Sequence, residues 1–301
     1  VIVLLNGEIY NFRELRDELK QKGCVFKTDS DTEVLVHLYQ QQPDKPAGWL
    51  NRLNGIFAIA LWDERRQKLL LARDHYGVKP LHIAQQGKRL LFGSEIKSLL
   101  AAGLKARLNR SALHVFLNIR YVPGEDTLFD DVRRFPPAHF AWVENGRFQG
   151  LERFYGLPSR DWKTDRNGLE EDIRERFHAA VHRQLISDVP VGMALSGGLD
   201  SSMIVASADQ ALKENRNLRT ADQVLRTFTL GFNEPTDENE DAKVVADHYQ
   251  TQHFDTRLDA NPLEAAEAVI RAVEEPKINM LQGYELARFV QLMSKLFLQK
   301  E

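Results

Sequence analysis

The amino-acid sequence predicts an α+β domain followed by an α/β domain with a parallel sheet, on three observations. The chain has 301 residues, 43% hydrophobic and 28% charged, which suits a globular protein of about two domains on a ~150-residue prior. Up to about residue 150, short apolar runs alternate with charged or glycine turns, as in antiparallel meanders. After residue 168, strand and helix patterns alternate, which signals parallel strands joined by right-handed crossovers. Residues 151–168 carry Pro158, two glycines and scattered charge and read as a linker. The predicted domains are therefore 1–150 and 169–301.

Each element has its own signal. VIVLL (1–5) is β-branched and uncharged, the mark of a buried strand. FRELRDEL (12–19) places Phe12, Leu15 and Leu19 on one helical face, and DTEVLVHLYQ (31–40) does so with Val34, Leu35, Leu38 and Tyr39. GIFAIALWD (55–63), KLLLARD (68–74), PLHIAQQ (80–86) and RLLFGSE (89–95) are the meander strands. Beyond the linker, residues 169–185 put Leu169, Ile173, Phe177, Val181 and Leu185 on one stripe. Strands are expected at 190–195, 225–232 and 252–255, and helices at 200–214, 238–249 and 261–274. Residues 285–301 form an amphipathic helical pattern.

Charge and composition narrow the partners. A formal net charge of −3 with interspersed acids and bases offers no basic face for nucleic acid and no polybasic segment for a membrane surface. No apolar run reaches the ~18–20 residues of a membrane span. The partner is expected to be a small molecule. The single cysteine, Cys24, excludes an intramolecular disulfide and points to a reducing, cytoplasmic setting. The chain starts at Val1 without an initiator methionine, and both of its ends read as cut.

The stretch VPVGMALSGGLDSSMIVASA (189–208) climbs from an apolar strand through two glycines into a helix. In an open parallel sheet, ligands sit where strands end and helices begin, because backbone N–H groups and the positive helix end point there. Gly197 and Gly198 lack a Cβ and let the backbone approach an anion, while Ser196, Ser201 and Ser202 add hydroxyl donors. A lysine-bearing P-loop and a dinucleotide G-x-G-x-x-G are both absent. The turn resembles the pyrophosphate loop of ATP pyrophosphatases, enzymes that adenylate a carboxylate or similar group and release pyrophosphate. That resemblance implies that Ser196, Gly197, Gly198, Leu199, Asp200, Ser201 and Ser202 hold the phosphates of ATP, with Asp200 against Mg2+. It also implies that the backbone at Leu195 and Leu230 reads adenine. The plainer alternative is an ordinary strand–helix turn with Asp200 as N-cap.

Five motifs in the first half, LLNGEIYNFRELRDEL (4–19), TDSDTEVL (28–35), GIFAIALWD (55–63), RDHYGVKPLH (73–82) and SEIKSLL (94–100), together resemble the glutaminase domain of the asparagine synthetase family, a class II glutamine amidotransferase. The fold implied is an N-terminal-nucleophile-hydrolase-like αββα sandwich. Hydrolysing a glutamine amide creates a tetrahedral oxyanion that needs donors fixed in advance. Asn6 and Gly7 match the family's oxyanion donors, and Glu8 and Asp31 match the acids that receive glutamine's ammonium. Alone, an Asn-Gly pair reads as a turn and an aspartate before a helix as a cap.

The pattern departs from the family in three places. The catalytic N-terminal cysteine and the upstream arginine segment for the glutamine carboxylate are absent from the sequence, and Cys24 reads as a small packed residue. Nothing in 276–301 matches the family's later S-G-E-G-[AS]-D-E segment. The chain as given is therefore expected to turn over neither glutamine nor ATP. At the acceptor stretch, Asn279, Met280 and Gln282 stand where the family carries threonine, serine or arginine, so aspartate is the default acceptor rather than a derived one.

The resemblance implies a two-site ligase taking glutamine, ATP and Mg2+, in a family whose members often pair as homodimers. Two alternatives stay open: a relative that amidates another carboxylate or closes a β-lactam, and a catalytically silent nucleotide-binding fragment. Elsewhere, Arg73 and Asp74 are expected to pair at a strand end, His75 to have no metal role, and the acidic run 234–243 to be a solvated helix cap.

Overall fold

The computed structural model describes residues 1–157, 168–214, 224–231, 235, 237–257 and 262–275. Residues 1–160 and 161–301 form separate compact units. In the first unit the order is β1 (Ile2–Ile9), α1 (Phe12–Gln21), α2 (Thr32–Gln41), α3 (Pro46–Leu50), β2 (Gly55–Asp63), β3 (Lys68–Arg73), β4 (His82–Gln86), β5 (Arg89–Gly93), α4 (Ile96–Ala101), α5 (Arg110–Ile119), β6 (Arg133–Arg134), β7 (His139–Glu144), β8 (Arg147–Phe148) and β9 (Glu152–Arg153). The second unit continues with α6 (Leu169–Gln184), β10 (Gly192–Ala194), α7 (Leu199–Glu214), β11 (Arg226–Gly231), α8 (Asn239–Tyr249), β12 (Gln252–Arg257) and α9 (Pro262–Val273).

The first unit is an αββα sandwich, and β2 shows how its sequence builds one. Odd-numbered Phe57, Ile59 and Leu61 pack with Leu15 and Leu19 of α1 and Val34, Leu35, Leu38 and Tyr39 of α2. Even-numbered Ala58 and Ala60 face the other way, with Leu71, Leu81, Phe135 and Ala141. The period-2 alternation of a strand thus serves two cores at once, which is why the run is apolar throughout. One sheet has the order β1-β2-β3-β7-β8, with β9 paired to β7; the other has the order β5-β4-β6. Beyond the second sheet, Ile96 and Leu99 of α4 pack on Ala84 and Leu91.

The first unit runs past the boundary expected at residue 150. Glu152 pairs with Phe140, and Phe154 is buried in the helix-facing core. The composition of 151–157 resembles a linker because β9 is only two residues long and too short to show a period. The segment Cys24–Lys27 is not a strand. Cys24 closes α1 through its amide to the Leu19 carbonyl and packs, half-buried, against the core.

In the second unit the strands run parallel in the order β10-β11-β12. Strand β11 is buried on both faces, with Thr227, Phe228 and Thr229 all 4% exposed or less, as expected for a central parallel strand. Phe228 stacks on Phe254 of β12 with centroids 4.8 Å apart. The core is completed by Leu185, Met193, Leu195, Val205, Ala208, Ala242 and Ala246. The α6 stripe is buried only at its end: Leu169 and Ile173 are exposed, Phe177 and Val181 half-buried, Leu185 buried. Residues 276–301, including Asn279, Met280, Gln282 and the helical pattern at 285–301, lie outside the described residues. Among the described residues no helix is long and apolar enough to cross a membrane.

Candidate active sites

The first candidate site is built at the end of β1. This strand pairs antiparallel with β2, matching Asn6 to Ala58, Gly7 to Phe57 and Glu8 to Ile56. Asn6 and Glu8 share its exposed face. Gly7 has φ +146°, and a Cβ there would lie 1.9 Å from the Ile56 carbonyl oxygen, so the turn of backbone admits no side chain. The Asn6 carboxamide donates through Nδ2 to Ser94 Oγ at 2.8 Å. Ser94 follows β5, so the bond ties the two sheets together beside the site. A carboxamide nitrogen carries two N–H groups, so Asn6 keeps a second one for another acceptor.

Asp31 joins this group from the start of α2. The N-cap reading fails, because its carboxylate makes no cap bond. Instead Oδ2 accepts from the Ile9 amide at 2.9 Å and Oδ1 from Thr32 Oγ1 at 3.1 Å. The carboxylate is thereby drawn to the strand residue next to Glu8. Burial, and then the negative charge of Glu8, push the Tyr10 phenol up, and Glu8 and Asp31 place two carboxyl groups at this anionic end of β1. The loop that delivers Asp31 is held by Glu33, which accepts from the amides of Lys27 and Thr28 and from Thr28 Oγ1. Those bonds bring the Glu33 carboxyl down to about 2. An anionic end next to an aimed amide can bind an ammonium group and stabilise an oxyanion.

Near this site Arg73 and Asp74 do not pair with one another. Arg73 donates to the carbonyls of Lys79, Phe135 and Gly77. Asp74, 1% exposed, accepts from the amides of Phe57, Tyr76, Val78 and Lys79. Each satisfies a tight loop, which charge pairing in sequence does not reveal. His75 lies edge-on to Phe57, Phe154 and Tyr155, and burial lowers its pKa.

The second candidate site lies at the carboxyl end of β10. Leu195 extends the ladder, its amide donating to the Phe228 carbonyl at 2.8 Å. Its own carbonyl accepts from Thr229 Oγ1 at 2.6 Å. The expectation that the Leu195 peptide reads a base is therefore narrowed: its N–H is spent, and only a second lone pair on the carbonyl is left to it. Leu230, next to Thr229, is half-buried at the strand end.

Ser196 and Ser201 close the turn on itself. Their hydroxyls lie 3.1 Å apart, Ser201 Oγ accepts from the Ser196 amide, and Ser196 Oγ accepts from the Gly198 amide at 3.3 Å. Gly197 has φ +79°, and a Cβ there would stand 2.6 Å from Asp241 Cβ and the Ala242 amide nitrogen of α8. Gly198 is different, since its added Cβ would meet only Ser196 Oγ at 3.3 Å. Asp200 lies inside the first turn of α7, exposed, rather than at its cap. Ser202 is half-buried and Leu199 exposed.

The acidic run departs in part from a solvated cap. Glu238, Glu240 and Asp241 are exposed, but Asn239 is buried and donates through Nδ2 to Asp255. Sequence reading missed the contacts of Ser94, Glu33 and Thr229 around the two candidate sites.

Two family models match the two units separately. Residues 1–155 match the glutamine amidotransferase domain, and residues 172–294 match asparagine synthase. The chain belongs to the glutamine-hydrolysing asparagine synthetase family. Among its relatives, asparagine synthetase [glutamine-hydrolyzing] 3 of Bacillus subtilis is 40% identical over 210 residues, 68% of this chain and 33% of that protein. Asparagine synthetase [glutamine-hydrolyzing] 1 of the same organism is 34% identical, covering 76% of this chain and 34% of the relative. The Zea mays asparagine synthetase [glutamine-hydrolyzing] is 33% identical over 94% of this chain and 43% of its own length. The chain spans between a third and a half of the length of these relatives.

Proposed function

We propose that the protein is a glutamine-dependent asparagine synthetase. The first unit frees ammonia from the glutamine side chain, and the second uses ATP to activate a carboxylate, aspartate by default, that ammonia then attacks. Family membership supports the amidotransferase and the ATP-using halves, and the acceptor and the adenylate route are the finer part of the reading. The observation that carries the glutaminase half is that Asn6 and Glu8 share one face of β1 while the Asp31 carboxylate bonds the Ile9 amide of the same strand.

Asn6, and Gly7 beside it, serve the oxyanion that forms when the amide carbonyl is attacked. Glu8 and Asp31 receive the α-ammonium group and so hold the substrate in the site. In the second unit, Ser196, Ser201 and Ser202 with the backbone from Gly197 to Leu199 form the anion cradle at the start of α7, where the helix dipole favours phosphate. Leu195 and Leu230 flank the base.

Mg2+ fits this donor set as an ion held mainly by phosphates. Asp200 is an exposed carboxylate beside the cradle, and among the described residues no group of three or more His, Cys, Asp or Glu could hold a metal alone. Asp200 would hold the ion, which when bound neutralises charge on the departing pyrophosphate. Activation gives the carboxylate a leaving group, AMP, that hydroxide or ammonia can displace. In bulk water at pH 7 ammonia is mostly protonated and unreactive, so the two reactions gain from sharing one polypeptide.

The test uses the protein expressed from its complete reading frame. Glutamine is expected to yield ammonia, and Asn6→Ala to lower the rate by about 10²–10³-fold, with ammonium-supported synthesis retained. Ammonia release unchanged by Asn6→Ala would overturn the glutaminase assignment. Aspartate, among carboxylate substrates, is expected to stimulate ATP consumption.

A further inference from the structure

Arg16 is charged yet 7% exposed on the core-facing side of α1, between Leu15 and Leu19. Removing a guanidinium from water is costly unless its donors are used, so what those donors touch is informative. Nη1 donates to Asp29 Oδ1 at 2.7 Å and Nη2 to the Ser30 carbonyl at 2.8 Å. The guanidinium also lies over the rings of Phe12 and Phe26, 5.6 and 5.0 Å from their centroids, which holds its plane in place. Its buried Nε has no partner. Its two Nη donors thus grip successive residues of one loop.

Those two residues immediately precede Asp31. The Asp29 side chain is 82% exposed, so solvent screens that ion pair, and the bond to the Ser30 carbonyl is the half of the grip that does not depend on it. With Ser30 fixed from one side and the Asp31 carboxylate bonded to the Ile9 amide on the other, the backbone between them has little freedom.

We propose that Arg16 is a positioning residue for the ammonium-binding carboxylate of Asp31, setting the affinity of the first site for a free α-amino acid. This rests on the glutaminase reading. An ammonium contact far from the cleaved amide is equally strong before and at the transition state, so weakening it raises KM and leaves kcat alone. Lysine keeps the charge but, as a point donor, cannot span two acceptors as the planar fork does.

Glutamine kinetics on Arg16→Lys, Asp29→Ala and Asp31→Asn, in the protein from its complete reading frame, test the proposal. Arg16→Lys is expected to raise KM for glutamine by about tenfold or more, the loss of a charged hydrogen bond, with kcat within about twofold. Synthesis supported by ammonium chloride should not change. Asp29→Ala, at an exposed position that the fold tolerates, is expected to raise KM by a smaller factor. If Asp31→Asn raises KM while Arg16→Lys does not, the positioning role is overturned and the glutaminase reading stands. If Arg16→Lys lowers the ammonium-supported rate as much as the glutamine rate, its role is only structural and the proposal fails. Should Arg16→Lys not fold, an unchanged KM in Asp29→Ala overturns it. If none of the three alters glutamine KM, the reading and the proposal fall together.

Discussion

At the scale of single residues, two acids near the start of α2 exchange the roles their positions suggest. Asp31 stands at the cap but turns to β1, and Glu33, two residues inside the helix, reaches back to the loop amides. The Glu33 carboxyl is held at about 2 against an ordinary value of 4.5. Its folded-state pKa is depressed, so its stabilisation is complete above about 4.5 and is lost as pH falls toward about 2. Glu33→Gln is expected to lower stability by about 1–2 kcal/mol at pH 7. In urea titrations the wild-type advantage should shrink between pH 4.5 and pH 2. An equal difference at both ends of that range would show that the charge is irrelevant. Asn6, Gly7, Glu8 and Asp31 were named as candidates from the sequence because their motifs are local. Ser94 was not, since its bond to Asn6 spans 88 positions and residue order alone does not report which loops meet.

At the scale of elements, glycines show what a motif leaves unsaid. Both Gly197 and Gly198 read as open backbone for an anion, yet the geometry separates them. Gly197 is required by its positive φ and by the close approach of α8, while Gly198 meets only a side-chain oxygen. Gly197→Ala is expected to destabilise the second unit by about 1–3 kcal/mol. Gly198→Val should weaken nucleotide binding with a much smaller loss of stability. Chemical denaturation alongside nucleotide titration distinguishes them, and equal destabilisation would remove the division of labour. Strands β1–β5 and β10–β12 and helices α1, α2 and α6–α9 were legible because each apolar run carries its period, whereas α3–α5 and β6–β9 were not assigned from the sequence. The exposure of Leu169 and Ile173 was not, because a stripe on α6 states which face is apolar and not whether anything covers it. Short strands such as β9 lack the length to show a period, which is why the first unit extends beyond the boundary drawn from composition.

At the scale of the whole molecule, the proposed function gives two unlike chemistries to two units of unlike architecture. The first aims amide and carboxylate groups from a strand end, suited to cleaving a neutral amide. The second places a serine–glycine turn at the start of α7, to which the proposal assigns the phosphates released when a carboxylate is adenylated. The nature of the bond broken in ATP decides whether the two belong to one reaction. Resolving the nucleotide products formed from Mg-ATP, glutamine and aspartate by the protein from its complete reading frame measures this directly. The account predicts AMP and pyrophosphate in equal amounts with asparagine; ADP and inorganic phosphate in their place would contradict it.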